Sequence, residues 1–416
     1  MSAGSGNKKM LPRLNFLRHT TPIRCDSITS NLSALTSKPL DAQVIIRARV
    51  DLAGVLDDSI DQRMTVKSVR VGLVGYGYWG SKHARVLASL PGVELTVVEG
   101  DSERLRAAGA SFPSARLASS LPDVATDLDA VVIATPPKTH APLAIEALRA
   151  GLHTLVEKPL ATSVAEAEAI VEAAEASSKI LMTGHTYVYN AAVEQLKAII
   201  QSGELGRILY IDDSRLNLGL YQRDCNVIWD LAPHDVSMLA YLLDEFPTTV
   251  SVWAQNSLSG PQEDHAYLRL GFPTASAFIH VSWLHPSKVR RVTVVGDRKM
   301  AVYDDLSDTE RIRIYDKGVG FGENSGPAPA MPISYRTGNI TSPYVDFVEP
   351  LLVQDSHFID CIRTGRRPRT SGEDGLEVVR VLSAADEAIM SDRPVQIHGL
   401  TGIERTNTFR KAADDR

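Results

Sequence analysis

From Val69 onward the chain alternates short apolar runs with longer amphipathic ones. Val69–Val74 is rich in β-branched residues and predicts a buried strand. A helical stretch over residues 79–90 follows, broken by Pro91-Gly92. Val93–Val98 predicts a second strand ending at Glu99, and residues 103–108 a helix. Further strands are expected at 129–134, 153–156 and 180–183. Helices are expected at 142–150 and 164–177, the first ended by Gly151. Strands that alternate with helices of this length imply a parallel, doubly wound sheet.

After Tyr187 the pattern changes. A helix is expected over 191–200, a strand over 207–216 and a helix over 232–243. Strand-like runs at 250–254, 266–270, 277–283 and 289–295 lack long helices between them, so an antiparallel or mixed sheet is expected. Residues 318–334 are dense in Gly and Pro and read as an exposed loop. Two helices, near 353–364 and 372–391, close the pattern. The fold class is α/β: a Rossmann parallel sheet over 68–187, then an α/β domain with a largely antiparallel or mixed open sheet over 188–416. Residues 1–67 stand apart. Lys8, Lys9, Arg13, Arg18 and Arg24 precede the first acid, Asp26, among many hydroxyl residues. That composition fits a transit peptide; it also fits a disordered tail, or sequence upstream of a true start at Met64.

Composition narrows the function. With 416 residues, 44% of them hydrophobic and 23% charged, the chain reads as an ordinary globular protein. A net charge of -6 does not imply a nucleic-acid-binding surface. No apolar run approaches the roughly 20 residues that span a bilayer. Cys25, Cys225 and Cys361 are far apart and form no CxxC pair. That usage suits a reducing cytoplasm and offers no metal site.

The first chemical signal is Gly75-Tyr76-Gly77-Tyr78-Trp79-Gly80, between a strand and a helix. Gly75 permits the tight turn, Gly77 lets the backbone approach a pyrophosphate, and Gly80 lets the helix pack on the strand. Tyr78 and Trp79 belong to the same cofactor-binding turn. Glu99 ends the next strand, 24 positions after Gly75, where an acid binds ribose hydroxyls. A carboxylate there repels a 2′-phosphate, so NAD is expected over NADP. Asp101, two residues on, is the rival acid. A second signal is Thr135-Pro136-Pro137-Lys138-Thr139-His140 after a strand, from which Thr135, Pro136 and His140 are candidate cofactor contacts. A third is Glu157-Lys158-Pro159, also after a strand. Ligands of open α/β sheets bind beyond the carboxyl ends of strands, which puts Glu157 and Lys158 near the nicotinamide. The fourth is Trp229-Asp230-Leu231-Ala232-Pro233-His234-Asp235. Pro233 suits a first helical turn. Asp230 and His234, four apart, share a helical face, where a carboxylate can tune an imidazole. Alone, each signal has a plain structural reading as well: a ligand-free turn, a surface lysine, a rigid loop, a capped helix.

Taken together, Gly75-x-Gly77-x-x-Gly80, Glu157-Lys158-Pro159 and Asp230-x-x-x-His234 resemble the Gfo/Idh/MocA oxidoreductases, named for glucose–fructose oxidoreductase and inositol dehydrogenase. The resemblance runs from Val69 to Ile397 and includes Ser371-Gly372-Glu373-Asp374-Gly375-Leu376 of a closing helix. It implies a Rossmann domain joined to a domain whose open sheet often forms the contact of a homodimer or homotetramer. It implies a sugar substrate, with His234 taking the hydroxyl proton, Lys158 polarising the forming carbonyl, Asp230 orienting the histidine and a hydride passing to the nicotinamide. It also implies a cis Lys158–Pro159 bond, X–Pro being where cis bonds are tolerated. The chain departs from the commoner pattern at Asn226-Val227-Ile228-Trp229, at Ser237 and at Gly184-His185-Thr186-Tyr187-Val188-Tyr189-Asn190. Those departures resemble a branch found with nucleotide-sugar metabolism, such as UDP-N-acetylglucosamine or UDP-N-acetylglucosaminuronate 3-dehydrogenases. Tyr187, Tyr189, Asn217 and Arg223 are the candidate substrate contacts. The resemblance also admits a ketosugar reductase, a glycosidase that uses NAD transiently, and a non-catalytic sensor.

Overall fold

The computed structural model describes residues 68–219, 221–222, 224–258, 260–321 and 333–399. The expectations for residues 1–67 lie outside them.

The first sheet has six strands, β1 (Val69–Val74), β2 (Val93–Val98), β3 (Arg116–Ala118), β4 (Ala130–Ile133), β5 (His153–Glu157) and β6 (Leu181–Gly184). Every pairing is parallel and the order is β3-β2-β1-β4-β5-β6. Helices α1 (Tyr78–Ser89), α2 (Ser102–Ser111), α3 (His140–Arg149) and α4 (Val164–Ser177) supply the crossovers. Parallel strands covered on both sides are continuous apolar runs, which is why β1 and β4 were legible. The three-residue β3 carries no such run and is buried little, so its sequence holds no strand signal.

The second sheet contains nine strands: β7 (Ile208–Leu218), β8 (Thr249–Gln255), β9 (His265–Gly271), β10 (Ser276–Ser282), β11 (Leu284–Gly296), β12 (Met300–Asp304), β13 (Ile312–Phe321), β14 (Ile333–Thr341) and β15 (Val395–Gln396). Their order is β14-β13-β12-β11-β7-β10-β9-β8-β15. Among the described residues only β7 and β10 pair in parallel, so the sheet is mixed and mostly antiparallel. Helices α5 (Ala191–Gln201), α6 (Val227–Leu243), α7 (Pro350–Thr364) and α8 (Gly372–Ser391) complete the described chain. Alternation along β9 buries Ala266, Leu268 and Leu270 toward the helices and turns Tyr267 and Arg269 outward. Helix α8 packs on both α4 and α6, so one long helix joins the layers of the two sheets.

Two expectations need correction. The loop expected at 318–334 is strand at both ends: Gly318, Gly320 and Phe321 pair with Arg336, Ser334 and Ile333. Glycine density suggested a loop, but these glycines lie opposite large or polar partners across a ladder, where a Cβ would crowd the Arg336 guanidinium at Gly318 and the Ser334 hydroxyl at Gly320. Helix α6 begins at Val227, not near Ala232. Asn226 caps it by accepting the Trp229 N–H (3.1 Å), and Trp229 Nε1 donates to Asp386 on α8 (2.7 Å). Pro233 is therefore inside the helix, past its first turn.

Two histidines sit where burial opposes their charge. His185, after β6, is enclosed with neither ring nitrogen hydrogen-bonded, and burial lowers its pKa to about 4. His357 on α7 is lowered to about 4, by burial and then by Arg369. A histidine whose folded pKa is depressed contributes stability above its unfolded pKa, about 6.5, and loses it as pH falls toward the folded value. Denaturant unfolding of wild type and His185→Leu at about pH 7 and pH 5 checks this. The variant is expected to lose less stability over that interval; an equal loss would remove His185 from the account.

Candidate active site

The glycine turn follows β1, at the point where the strand order reverses between β1 and β4. Gly75 has φ +93°, and a Cβ there would press within 2.9 Å of the Ala134 carbonyl oxygen. At Gly80 a Cβ would collide with the Gly75 carbonyl. At Gly77 it would meet nothing within 4 Å. Gly77 is the N-cap of α1 and the helix has neither a side-chain cap nor an acid in its first turn. Its first N–H groups and the positive end of its dipole therefore suit an anion, so the residues present fit a dinucleotide pyrophosphate. Tyr78 and Trp79 stand out from the turn, 74% and 40% exposed. Glu99 faces the turn, accepting the Tyr76 N–H (2.7 Å) and the Asp101 N–H (2.9 Å). The rival acid, Asp101, instead caps α2 by accepting from Glu103 and Arg104, which lowers its pKa.

The loop after β4 brings Thr135 and Pro136 to the same edge, with Thr139 Oγ1 donating to Thr135 Oγ1 (2.7 Å). His140 does not reach that surface. Its ring is buried between the carbonyls of Pro159 (2.8 Å) and Thr135 (2.9 Å). It braces two loops, because the ring starts helix α3 and points back under the turn it was expected to line.

Lys158 leaves the end of β5 ahead of a cis bond to Pro159. Its Nζ donates to the backbone oxygen of Asp230 (2.7 Å) and stands 3.8 Å from the Asp230 carboxylate. The other Asp230 oxygen accepts Trp283 Nε1 (3.0 Å). One turn along α6, the His234 ring packs 5.1 Å from that of Tyr187, with its Nδ1 enclosed and without a partner. Burial, then Lys158, Arg215, His185 and Arg290, hold the His234 pKa well below the usual range. The imidazole is neutral near pH 7 and can accept a proton. Among the described residues no hydrogen bond joins Asp230 to His234. The aspartate shares the helical face but turns to Lys158 and Trp283, which the four-residue spacing could not reveal.

Tyr187 is the hub of a polar cluster beside His234. Its hydroxyl accepts from Arg215 (2.9 Å) and Arg290 (2.6 Å) and donates to Asp305 (3.2 Å). Arg215 also binds the buried Asp235 at 2.6 Å. Asn217, on β7, and Trp283, which donates to Asp230, both lie beside Gly219. Tyr189 is not at the surface: it is 1% exposed, with its hydroxyl on Thr370 (3.0 Å), because the 3-10 turn Thr186–Tyr189 aims it into the core. Arg223 lies outside the described residues. Arg215, Arg290, Asp305 and Trp283 were missed. The one available signal was Arg215, a charge in the inward phase of an alternating strand. No group of His, Cys, Asp and Glu among the described residues could hold a metal ion.

Residues 69–185 match a family model described as an oxidoreductase family with an NAD-binding Rossmann fold, and residues 193–302 match a Gfo/Idh/MocA C-terminal domain. A solved chain from Magnetospirillum magnetotacticum MS-1 is 30% identical, with TM-score 0.65, over 77% of this chain and 100% of that one. Inositol 2-dehydrogenase of Rhizobium meliloti (strain 1021) is 26% identical over 79% of this chain and 99% of its own length. UDP-N-acetylglucosamine 3-dehydrogenase of Acidithiobacillus ferrooxidans is 28% identical over 61% and 78% respectively.

The glycine geometry separates folding from binding. Gly80→Ala is expected to cost about 1–3 kcal/mol, because the methyl forces helix and turn apart. Gly77→Ala is expected to cost less, about 0.5–1 kcal/mol for alanine at an N-cap, while weakening NAD binding. Denaturant unfolding and titration calorimetry read the two effects; Gly77→Ala that binds NAD as wild type would show that the backbone there does not approach the ligand.

Proposed function

The chain belongs to the Gfo/Idh/MocA oxidoreductase family, and we propose that it is an NAD-dependent sugar dehydrogenase acting on a nucleotide sugar, with C3 as the oxidised carbon. The observation that carries the reading is a neutral imidazole, His234, held near an ammonium group, Lys158, at the carboxyl edge of a dinucleotide-binding sheet. A hydride cannot leave a carbinol carbon unless the hydroxyl proton is also removed. His234 accepts that proton, and a site whose burial and neighbouring cations keep its imidazole unprotonated keeps it ready to do so. Lys158, pointing across to α6, stabilises negative charge that develops on the substrate oxygen. Asp230 holds the Lys158 side chain through its backbone oxygen and is itself fixed by Trp283, so its part is to orient the lysine more than the histidine. NAD, held at the glycine turn and Glu99, would supply the hydride acceptor.

Glu99 favours NAD because its carboxylate faces the turn where a 2′-phosphate would add like charge. Support for a nucleotide sugar comes from the UDP-N-acetylglucosamine 3-dehydrogenase likeness and from the departures around Tyr187. Tyr187 and Asn217, with Thr135 and Pro136 on the cofactor side, are the contacts within the described residues. The same reading divides the chain near residue 187 and includes a homodimer or homotetramer, which light scattering measures.

Purified protein incubated with NAD and a panel of UDP-sugars, inositols and free aldoses is expected to form NADH with a UDP-sugar, and mass spectrometry to find product two hydrogens lighter. Lys158→Ala and His234→Ala are each expected to lower kcat by roughly 10²–10⁴-fold while retaining NAD binding. Bond cleavage without NADH would replace the dehydrogenase by a glycosidase; binding with no reaction would leave a sensor. In a parallel titration, Glu99→Ser is expected to narrow the preference for NAD over NADP by about tenfold.

A further inference from the structure

Beneath the site lies a buried set of charges that the reaction itself does not use. His83 stands on α1, the helix that begins at the glycine turn, and its side chain is fully enclosed. Its Nε2 is 2.9 Å from Glu157 Oε1 and its Nδ1 2.9 Å from Asp355 Oδ2 on α7. A neutral imidazole carries one N–H, which would leave a carboxylate facing a ring lone pair. With both carboxyl groups ionised, both contacts are hydrogen bonds only if the ring is an imidazolium. Burial opposes that charge, but Asp355 and Glu157 outweigh it and lift the pKa to about 10.

The remaining oxygens of the two carboxylates are also occupied. Glu157 Oε2 accepts the backbone N–H of Lys158 (3.0 Å). Asp355 Oδ1 accepts from Gln354 Nε2 (3.4 Å), and Gln354 Oε1 accepts from Thr186 (2.9 Å). Thr186 opens the 3-10 turn that presents Tyr187 to His234. An unbroken polar chain thus runs from the Lys158 backbone through α1 and α7 to the Tyr187 turn. Satisfied networks of this kind are stiff, since displacing any member exposes a buried charge.

We propose that His83 is a positioning residue, a buried imidazolium that holds the Lys158 turn and the Tyr187 turn in register with the dinucleotide-binding helix. Its kinetic consequence rests on the roles given above to Lys158 and His234; its charge state and its hold on Lys158 do not. The groups that face it are Glu157 from β5 and Asp355 from α7; Lys158 acts on Glu157 from the side, and Glu157 in turn acts on His140 and His185.

The test uses the full chain with His83→Gln, which keeps polar atoms but removes the charge, and Asp355→Asn, which serves if the first does not fold. Nitrogen-15 histidine NMR of wild type is expected to find His83 protonated on both ring nitrogens at about pH 8. Crystals of His83→Gln, or of Asp355→Asn in its place, are expected to show the Lys158 contact with the Asp230 carbonyl lost. With a turnover substrate, His83→Gln is expected to lower kcat roughly 10²-fold and to bring a new ionisation into the kcat profile, with KM and NAD affinity within about threefold of wild type. Asp355→Asn is expected to show a smaller loss of the same kind. A neutral His83 at that pH, an unmoved Lys158, or a variant with the wild-type kcat and pH profile despite a lower melting temperature would each overturn the proposal. Should no sugar be oxidised by wild type, the NMR and crystallographic readings still decide it.

Discussion

A parallel sheet delivers the chain to the same edge every time a strand ends. In this protein β1 ends at the glycine turn, β2 at Glu99, β4 at the Thr135 loop, β5 at Lys158 and β6 at His185. Five separate stretches of sequence meet there because their strands share one direction. The helices that return the chain cover both faces with apolar side chains. The second sheet adds the opposite wall. Helix α6, pinned at its start by Asn226 and by the Trp229 bond to α8, carries Asp230 and His234 across to Lys158.

Charge is arranged around that edge in two ways. At the site itself burial, reinforced by the cations Lys158, Arg215 and Arg290, keeps the His234 imidazole unprotonated. Below it the opposite holds: two carboxylates enclose one imidazole, which stays protonated. The two histidines are the same side chain with opposite charge, and the difference lies in the sign of the groups that replace water around them. His185 shows the third case, an enclosed ring with no partner at all, neutral by burial. Arg215 and Asp235 make a further buried pair, and Arg215 holds Tyr187 beside His234.

Much of this was readable from residue order alone, where the physics is local. A strand buried on both faces must be an unbroken apolar run, and a phosphate-binding turn must contain glycines where φ is positive or a helix approaches closely. Those constraints act within a few residues, so the helices and all the strands but β3 to Thr183, the glycine turn, Glu99, and the Lys158 and His234 motifs stood out. Length and pattern failed where glycine was ambiguous, as in the β13–β14 ladder, and where a cap lay upstream of a proline, as at Asn226.

Side-chain direction was decided only by the tertiary structure. Sequence spacing put Asp230 and His234 on one face, but the indole of Trp283 and the ammonium of Lys158, both distant in the chain, determine where the carboxylate points. Tyr187 and Tyr189 are two residues apart and alike in sequence, yet one meets three polar partners beside the site and the other is sealed in the core. His140 looked like a cofactor contact and is a brace; His83 drew no notice and is the centre of a buried charge set. Local propensity determines which residues form a strand, a turn or a helix. The pKa and reach of a side chain depend on what packs against it from far along the chain, and that is settled only when the two sheets and α8 come together.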